Sequence, residues 1–159
     1  MSRPSVVELR PPGPYALRAS AFGRGGGTRR WSGDLLDLAF RVDGRPCWSR
    51  VRQRRDGTIE AAIHAPADAR EAAEERLRFL LAADADIRPF LDRFADDPLV
   101  GEAIRRRRGM RPLPRGTVAH ALVRAMCGQL VRWQEAARTE ARIVRLASPA
   151  LGRLRLPPD

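Results

Sequence analysis

The chain has 159 residues and a mass of 17.7 kDa, and 43% of its residues are hydrophobic, so one ordinary domain or two small ones are expected and disorder of the whole chain is excluded. All 30 basic residues are arginines, and with 19 acidic residues they give a net charge of +11. Residues 1–102 are nearly balanced, with 17 arginines and 16 acidic residues, whereas residues 103–158 hold 13 arginines and two acidic residues. This placement favours a polyanionic partner for the C-terminal third.

Alternating apolar and polar residues predict an antiparallel sheet in the first part of the chain. Residues 36–42 alternate and run into Asp43-Gly44, a strong signal for a two-residue hairpin loop. A second turn at Asp56-Gly57 leads into a third strand at residues 59–63, and residues 5–9 and 15–21 are further candidate strands. The hairpin loop predicts three cross-strand pairs: Phe40 with Cys47, Leu36 with Val51, and Asp37 with Arg50.

A glycine-rich segment at residues 23–27 precedes the predicted hairpin. It lacks the Gly-Lys-Ser/Thr ending of a phosphate-binding loop, and no helix follows it. A mobile loop is therefore expected.

After Pro66 the spacing of apolar residues becomes helical. Asp68 and Glu71 form a capping box for a helix whose stripe would cover the sheet. Asp86 can cap a short second helix, and Asp97-Pro98 can begin a third that ends at Gly109. The predicted inward residues are Ala69, Ala73, Leu77, Leu80 and Leu81 in the first helix, Ile87, Phe90, Leu91 and Phe94 in the second, and Leu99, Val100, Ala103 and Ile104 in the third.

Two more helices are predicted, over residues 117–129 and from about Val131 to Ala147. Apolar stripes of small and medium residues at this spacing are typical of core packing. The stripes consist of Val118, Ala121, Leu122, Ala125 and Met126 in the first helix, and of Trp133, Ala137, Ala141 and Val144 in the second.

Four consecutive arginines, Arg105 to Arg108, precede Gly109 in the last turn of the third predicted helix. Cations there stabilise the negative end of the helix dipole. A solvated helix end and a phosphate-contacting cluster are both consistent with this run.

The remaining residues with metal or redox chemistry are few. Cys47 and Cys127 lie far apart, so neither a disulfide framework nor a zinc site is indicated. His64 and His120 have no acidic or thiol neighbours at ligand spacing, and we assign no metal and no cofactor. No stretch approaches the roughly 20 apolar residues of a membrane span, and the N-terminus lacks a signal peptide's apolar run. We expect a soluble, cytoplasmic protein without a membrane partner.

A series of segments then carries a family resemblance. It runs from residues 79–94 (FLLAADADIRPFLDRF) through 97–98 and 109–112 to 121–131 (ALVRAMCGQLV). This order resembles the DNA-3-methyladenine glycosylase II branch of the helix-hairpin-helix base-excision glycosylases, and residues 121–131 are similar to that family's junction between two helices. The resemblance implies an α+β fold. Residues 1–84 would form an antiparallel sheet with a covering helix, similar to the TATA-binding protein, and residues 85–159 the first helices of the all-α glycosylase domain.

The resemblance also implies a function, the hydrolysis of the N-glycosidic bond of a damaged, often alkylated, base in double-stranded DNA. The target nucleotide must leave the base stack and enter a pocket. By resemblance, Gln129 would face the extruded base and Leu130 would be the apolar wedge between base pairs. The alternative is that Leu130 is buried between the two helices and Gln129 merely caps one of them.

The chain departs from the family in two places. Arg132 stands where a small hydroxyl residue is common, and it either contacts a phosphate or marks an altered junction. The family's glycine-rich hairpin and catalytic aspartate have no counterpart, since only Glu135, Glu140 and Asp159 follow Glu102, and we assign no catalytic residue. The chain is thus expected to be truncated or to have its C-terminal half supplied elsewhere, and to release no alkylated base alone.

The property expected of the chain itself is weak, steeply salt-dependent affinity for DNA. One alternative is a non-enzymatic, arginine-rich nucleic-acid-binding module, which would bind any polyanion equally well. Another is a structural half that folds only against a partner chain, with exposed apolar faces in residues 117–147. The candidate phosphate contacts are Arg105, Arg106, Arg107, Arg108, Arg111, Arg115, Arg124 and Arg132.

Overall fold

The computed structural model describes residues 3–22, 25–129 and 132–159, and within them five strands form an antiparallel sheet. The strands are β1 (Ser5–Leu9), β2 (Arg29–Ser32), β3 (Leu35–Val42), β4 (Arg45–Gln53) and β5 (Ile59–His64). Their order across the sheet is β1-β5-β4-β3-β2, so β1 and β2 are the edge strands. The helices are α1 (Leu17–Ser20), α2 (Arg70–Leu80), α3 (Arg88–Arg93), α4 (Gly101–Arg106), α5 (Val118–Cys127) and α6 (Trp133–Ala147), and a two-stranded ribbon follows, β6 (Ala150–Leu151) and β7 (Leu154–Arg155).

The β3–β4 hairpin has the register that its loop predicts. Asp43 and Gly44 have φ values of 50° and 74°, as a type I′ turn requires. On the exposed face, the Arg50 guanidinium donates hydrogen bonds of 2.7 and 2.9 Å to the Asp37 carboxylate. All three predicted pairs are confirmed: Phe40 with Cys47, Leu36 with Val51, and Asp37 with Arg50.

The other strand predictions divide into two confirmed and one wrong. Residues 59–63 lie in β5, and residues 5–9 form β1, which pairs antiparallel with β5. The strand predicted at residues 15–21 is instead the short helix α1. Leu17 and Ala21 are both fully buried, and a separation of four residues places them on one helical face. Over so short a segment, alternation does not separate a strand from a single helical turn.

Helix α2 covers the sheet as predicted. Its five predicted inward residues, from Ala69 to Leu81, are all buried in one core with the sheet. The predicted capping box does not form, because the Asp68 carboxylate lies in a preceding 3-10 turn and accepts a hydrogen bond of 2.8 Å from Arg45. That ion pair links the start of the covering helix to the β3–β4 hairpin.

Helices α3 and α4 are shorter than predicted. Asp86 and Asp97 each accept the backbone N–H two residues ahead. Their predicted roles as helix caps are wrong, because the N-caps of α3 and α4 are Ile87 and Val100 and neither helix has a side-chain cap.

The predicted inward residues of these helices are wrong at four of eight positions, which are exposed, and Phe90 and Leu99 among them are 51% and 89% exposed. Leu91 is buried, and the other three are half-buried. The sequence shows which positions are apolar, but not whether anything covers them.

Part of the glycine-rich segment packs against α6. Gly23 and Arg24 lie outside the described residues, and Gly25–Gly27 forms a 3-10 turn. Gly26 has a φ of 66°, and a Cβ there would lie 2.8 Å from Cγ2 of Val144. Glycine is therefore required at residue 26 both by backbone conformation and by close approach.

Replacing Gly26 with alanine is expected to lower the free energy of unfolding by about 2–3 kcal/mol, because positive φ and a clash with buried Val144 act together. Gly152→Ala is the matched control, since Gly152 has a φ of 58° but no atom within 4 Å of the added Cβ. It is expected to cost only about 1 kcal/mol. Urea denaturation measures both, and equal losses would show that contact with α6 contributes nothing.

The C-terminal segment packs back onto the sheet. Leu154 and Leu156 form a second apolar cluster with Ala39 of β3, and Asp159 pairs with Arg41 at 3.0 Å. A division into residues 1–84 and 85–159 remains a prediction. In the described part of the chain, no helix is both long and apolar enough to cross a membrane.

Candidate nucleic-acid interface

The predicted DNA-contacting junction lies between α5 and α6. The hydroxyl of Thr117 accepts a backbone N–H at the start of α5, and Gly128 is the C-cap of that helix. Gln129 is exposed, and so is Arg132, the N-cap of α6. The predicted wedge Leu130 lies outside the described residues. The junction therefore offers an amide and a guanidinium to a ligand.

A buried carboxylate holds α5 and α6 together. Glu140 is 2% exposed, and its Oε1 lies 3.1 Å from Nε2 of His120 and 3.2 Å from Arg115. Arg124 approaches Oε2 at 3.7 Å. We call these four residues the Glu140 cluster. Two arginines predicted to contact phosphate are thus engaged with a carboxylate inside the protein.

The charge state of Glu140 follows from these neighbours. Burial alone raises the pKa of its carboxyl, but the hydrogen bond from His120 and the charges of Arg115 and Arg124 outweigh burial, and the pKa lies below its ordinary value. Glu140 is therefore ionised at neutral pH, and the cluster neutralises part of the positive charge between the helices.

Arg111 does not fit the phosphate-binding role expected of it. Its side chain is 1% exposed and stacks over the Tyr15 ring, 4.9 Å from the ring centroid. A guanidinium without accessible surface cannot reach a phosphate, so Arg111 is a structural residue. It donates hydrogen bonds to the carbonyl oxygens of Pro12 (2.6 Å), Pro14 (3.3 Å), Ala82 (2.9 Å) and Ala85.

The four arginines at the end of α4 are exposed. Arg105 donates to the backbone carbonyl of Ala95 at 3.0 Å, and Arg106 pairs with Glu102 at 2.6 Å, one helical turn away. An exposed ion pair of this kind stabilises the folded state by only about 0.3–0.5 kcal/mol. It therefore does not prevent Arg106 from turning to a phosphate. Of the eight arginines predicted, Arg105 to Arg108 and Arg132 are the ones fully on the surface.

The apolar stripe of α5 faces solvent, and the prediction that it packs into a core is wrong. Val118 and Met126 are 79% and 70% exposed, whereas His120 on the opposite side is buried. In α6 the buried positions are Ala136, Glu140 and Val144, and Trp133 is half exposed. Exposed apolar side chains in residues 117–147 are what the partner-chain alternative predicts.

Sequence reasoning missed an arginine-rich cleft beside β2. It is open, with a volume of about 630 Å³, and we call it the β2 cleft. Its arginines come from three separate segments of the sequence, at residues 18, 29–30 and 153, so no local run signals it. The lining residues are Arg18, Phe22, Gly27, Arg29, Arg30, Trp31 and Arg153.

No group of three or more metal-ligating side chains occurs among residues 3–22, 25–129 and 132–159. Both cysteines are free thiols. Of the three carboxylates after Glu102, Glu140 belongs to the Glu140 cluster, Asp159 pairs with Arg41 and Glu135 is exposed in the first turn of α6. These positions offer no preorganised pair of carboxylates.

The comparisons with known proteins rest on structure. No protein-family model and no curated protein sequence matches the chain. Among solved structures it matches a 3-methyladenine DNA-glycosylase from Archaeoglobus fulgidus with a TM-score of 0.74 and 16% sequence identity. The chain has the fold of the N-terminal part of that enzyme. The predicted α+β fold, an antiparallel sheet followed by helices, is confirmed. The match covers 96% of this chain and 56% of the solved chain.

Proposed function

We propose that this chain supplies the sheet domain and the first DNA-contacting helices of a base-excision glycosylase that acts on alkylated bases in double-stranded DNA. The observation that carries the proposal is the fold match, which extends over nearly the whole chain. The chain spans about half the length of that solved structure. The base-excision activity is therefore proposed for a whole enzyme of which this chain would be one part.

The junction supports a role in holding an extruded nucleotide. A helix break with an exposed amide at Gln129 can hydrogen-bond the edge of an unstacked base, since an amide both donates and accepts. Leu130 would fill the space that the base leaves, which offsets part of the unstacking cost of a few kcal/mol. Arg132 would contact a phosphate beside the gap.

The chain alone is proposed to bind damaged DNA without hydrolysing the N-glycosidic bond of the damaged base. The carboxylate of Glu140 is buried and paired, and that of Asp159 lies on the sheet beside Arg41. Neither is placed to stabilise positive charge on a sugar next to Gln129.

The test compares binding to a duplex that carries one alkylated base, 1,N6-ethenoadenine, with binding to the same duplex with an unmodified base, by fluorescence anisotropy. We expect tighter binding to the lesion, and Gln129→Ala and Leu130→Ala are expected to reduce that preference by about 1 kcal/mol each. The matched controls are Gln134→Ala and Leu146→Ala, at exposed positions of α6.

Equal affinity of the unchanged chain for the lesion duplex, intact duplex and other polyanions would support the arginine-rich binding module instead. Release of alkylated base by the chain alone, purified from a host without its own glycosylases, would contradict the proposal that this part binds without cleaving.

The exposed arginines after α4 give a separate prediction. Arg107→Ala combined with Arg108→Ala is expected to weaken duplex binding and to reduce the slope of log K against log salt by up to about 1.8, since each lost phosphate contact contributes about 0.9. Arg10→Ala with Arg55→Ala, which removes two exposed arginines near the β1 edge, is the charge-matched control. An unchanged slope in the first variant would leave this cluster as a solvated helix end.

A further inference from the structure

We propose that the β2 cleft is a second nucleic-acid site, one that takes the sugar–phosphate backbone of a single unpaired strand. This inference does not depend on the glycosylase proposal, because it concerns a different surface, on the sheet domain. It rests on the sign, the accessibility and the shape of the cleft.

The first observation is the sign of the charge. Four of the seven lining residues of the β2 cleft are arginines, and no lining residue is acidic. Two other clefts of similar size have mixed charge, since one pairs Arg10 and Arg55 with Asp56, and the other pairs Arg105 and Arg106 with acidic residues. Neither of these two clefts therefore has an uncompensated cluster of guanidinium groups such as the one that lines the β2 cleft.

The second observation is which of these cations are accessible. Arg30 and Arg153 are exposed, and neither forms an ion pair within the part of the chain that the structure describes. Asp37, the residue opposite Arg30 across the strands, is engaged by Arg50 in two hydrogen bonds. Arg30 and Arg153 are therefore free to form bidentate contacts with phosphate oxygens.

The floor of the cleft adds a fixed positive charge. Arg29 is 8% exposed and donates to the carbonyl oxygen of Pro114 at 2.6 Å. Burial lowers its pKa to about 10, so it remains charged at neutral pH. A buried cation raises the local potential without being screened by salt to the extent of an exposed one.

The third observation is a flat surface for a base. The Arg18 guanidinium lies over the Trp31 indole, 5.1 Å from the ring centroid, and is fixed by a hydrogen bond of 2.9 Å to the carbonyl of Gly33. Aromatic rings and guanidinium planes beside a basic groove are the combination by which proteins hold single strands. An acidic peptide would use the arginines but not the flat surface. The cleft volume of about 630 Å³ suits one or two nucleotides.

The experiment is an anisotropy titration of the full chain with a fluorescent short oligothymidine at low salt. Arg30→Ala with Arg153→Ala is expected to weaken binding about ten-fold or more, and Arg30→Lys with Arg153→Lys is expected to retain most of the affinity. Arg10→Ala with Arg55→Ala is the charge-matched control and is expected to stay within about two-fold. Thermal unfolding of each variant shows that the substitutions leave the fold intact.

Three results would overturn the inference. One is an equal loss in the test and control variants. Another is competition by polyglutamate as effective, per charge, as by unlabelled oligothymidine, which would assign the cleft to an acidic protein. The third is a larger loss of oligothymidine binding from Arg107→Ala with Arg108→Ala than from the cleft variant. The lesion preference of the chain is measured separately on duplex, so failure of the glycosylase proposal leaves these results unaffected.

Discussion

Replacing Arg111 with alanine is expected to lower the free energy of unfolding by about 3–5 kcal/mol, one of the largest effects of any single change in the chain. The guanidinium donates to four backbone carbonyls and covers the Tyr15 ring. Truncation removes a donor from each of those carbonyls and uncovers the Tyr15 ring, and each carbonyl left unsatisfied costs about 1 kcal/mol or more. Equilibrium denaturation in urea measures the change.

Two controls separate this structural role from a role in DNA binding. Arg108→Ala removes an exposed arginine three residues earlier and is expected to change stability by less than about 0.5 kcal/mol. Arg111→Lys keeps the charge but cannot reach carbonyls on several sides, because an ammonium group lacks the planar fork. It is expected to be destabilised while the salt dependence of DNA binding stays unchanged. A stability loss below about 1 kcal/mol for Arg111→Ala would contradict the structural role.

Replacing Glu140 with alanine is the second change with a large expected effect, a loss of about 3–5 kcal/mol. It removes the counter-charge of two arginines and the hydrogen-bond partner of His120. Glu140→Gln keeps the shape and part of the hydrogen bonding, and is expected to lose less. Glu135→Gln, in the exposed first turn of the same helix, is the matched control and is expected to change stability by less than about 0.5 kcal/mol.

The Glu140 cluster also predicts a pH dependence with a defined sign. The folded state lowers the pKa of Glu140, so this group contributes stability above its unfolded pKa, about 4.3, and that contribution is lost as pH falls from there through the folded pKa. The unchanged protein is therefore expected to lose stability more steeply below about pH 4.3 than Glu140→Gln does. Other carboxylates with lowered pKa, such as Asp86 at about 2, are present in both proteins and cancel. Parallel pH profiles would contradict the prediction.

The sheet could be predicted from the sequence because its information is local. A two-residue loop at Asp43-Gly44 fixes the register of its two strands, and alternation then assigns each residue to a face. The covering helix α2 could be predicted for a similar reason. Its apolar stripe packs against the sheet, whose strands come directly before it in the sequence. Alternation gave a wrong prediction at residues 15–21, because a single helical turn also buries Leu17 and Ala21.

The functional surface was less predictable, because it depends on what lies opposite each residue. Apolar spacing in α5 reveals a stripe, but the stripe faces solvent while His120 turns inward. Eight arginines look alike in sequence, yet Arg111 is caged by carbonyls, and Arg115 and Arg124 are held by a carboxylate on another helix. The β2 cleft combines residues from three separate segments, at residues 18–22, 27–31 and 153, which no local pattern could bring together.

The carbonyl cage around Arg111 has a consequence for the order of folding. Its acceptors lie 26 to 99 residues before the arginine that satisfies them, so the sheet and its covering helix are complete in sequence before that arginine is synthesised. Long-range closures of this kind form late and slow the search for the native state. During synthesis, the sheet and its covering helix would therefore form before these backbone carbonyls gain the hydrogen-bond donor that Arg111 supplies.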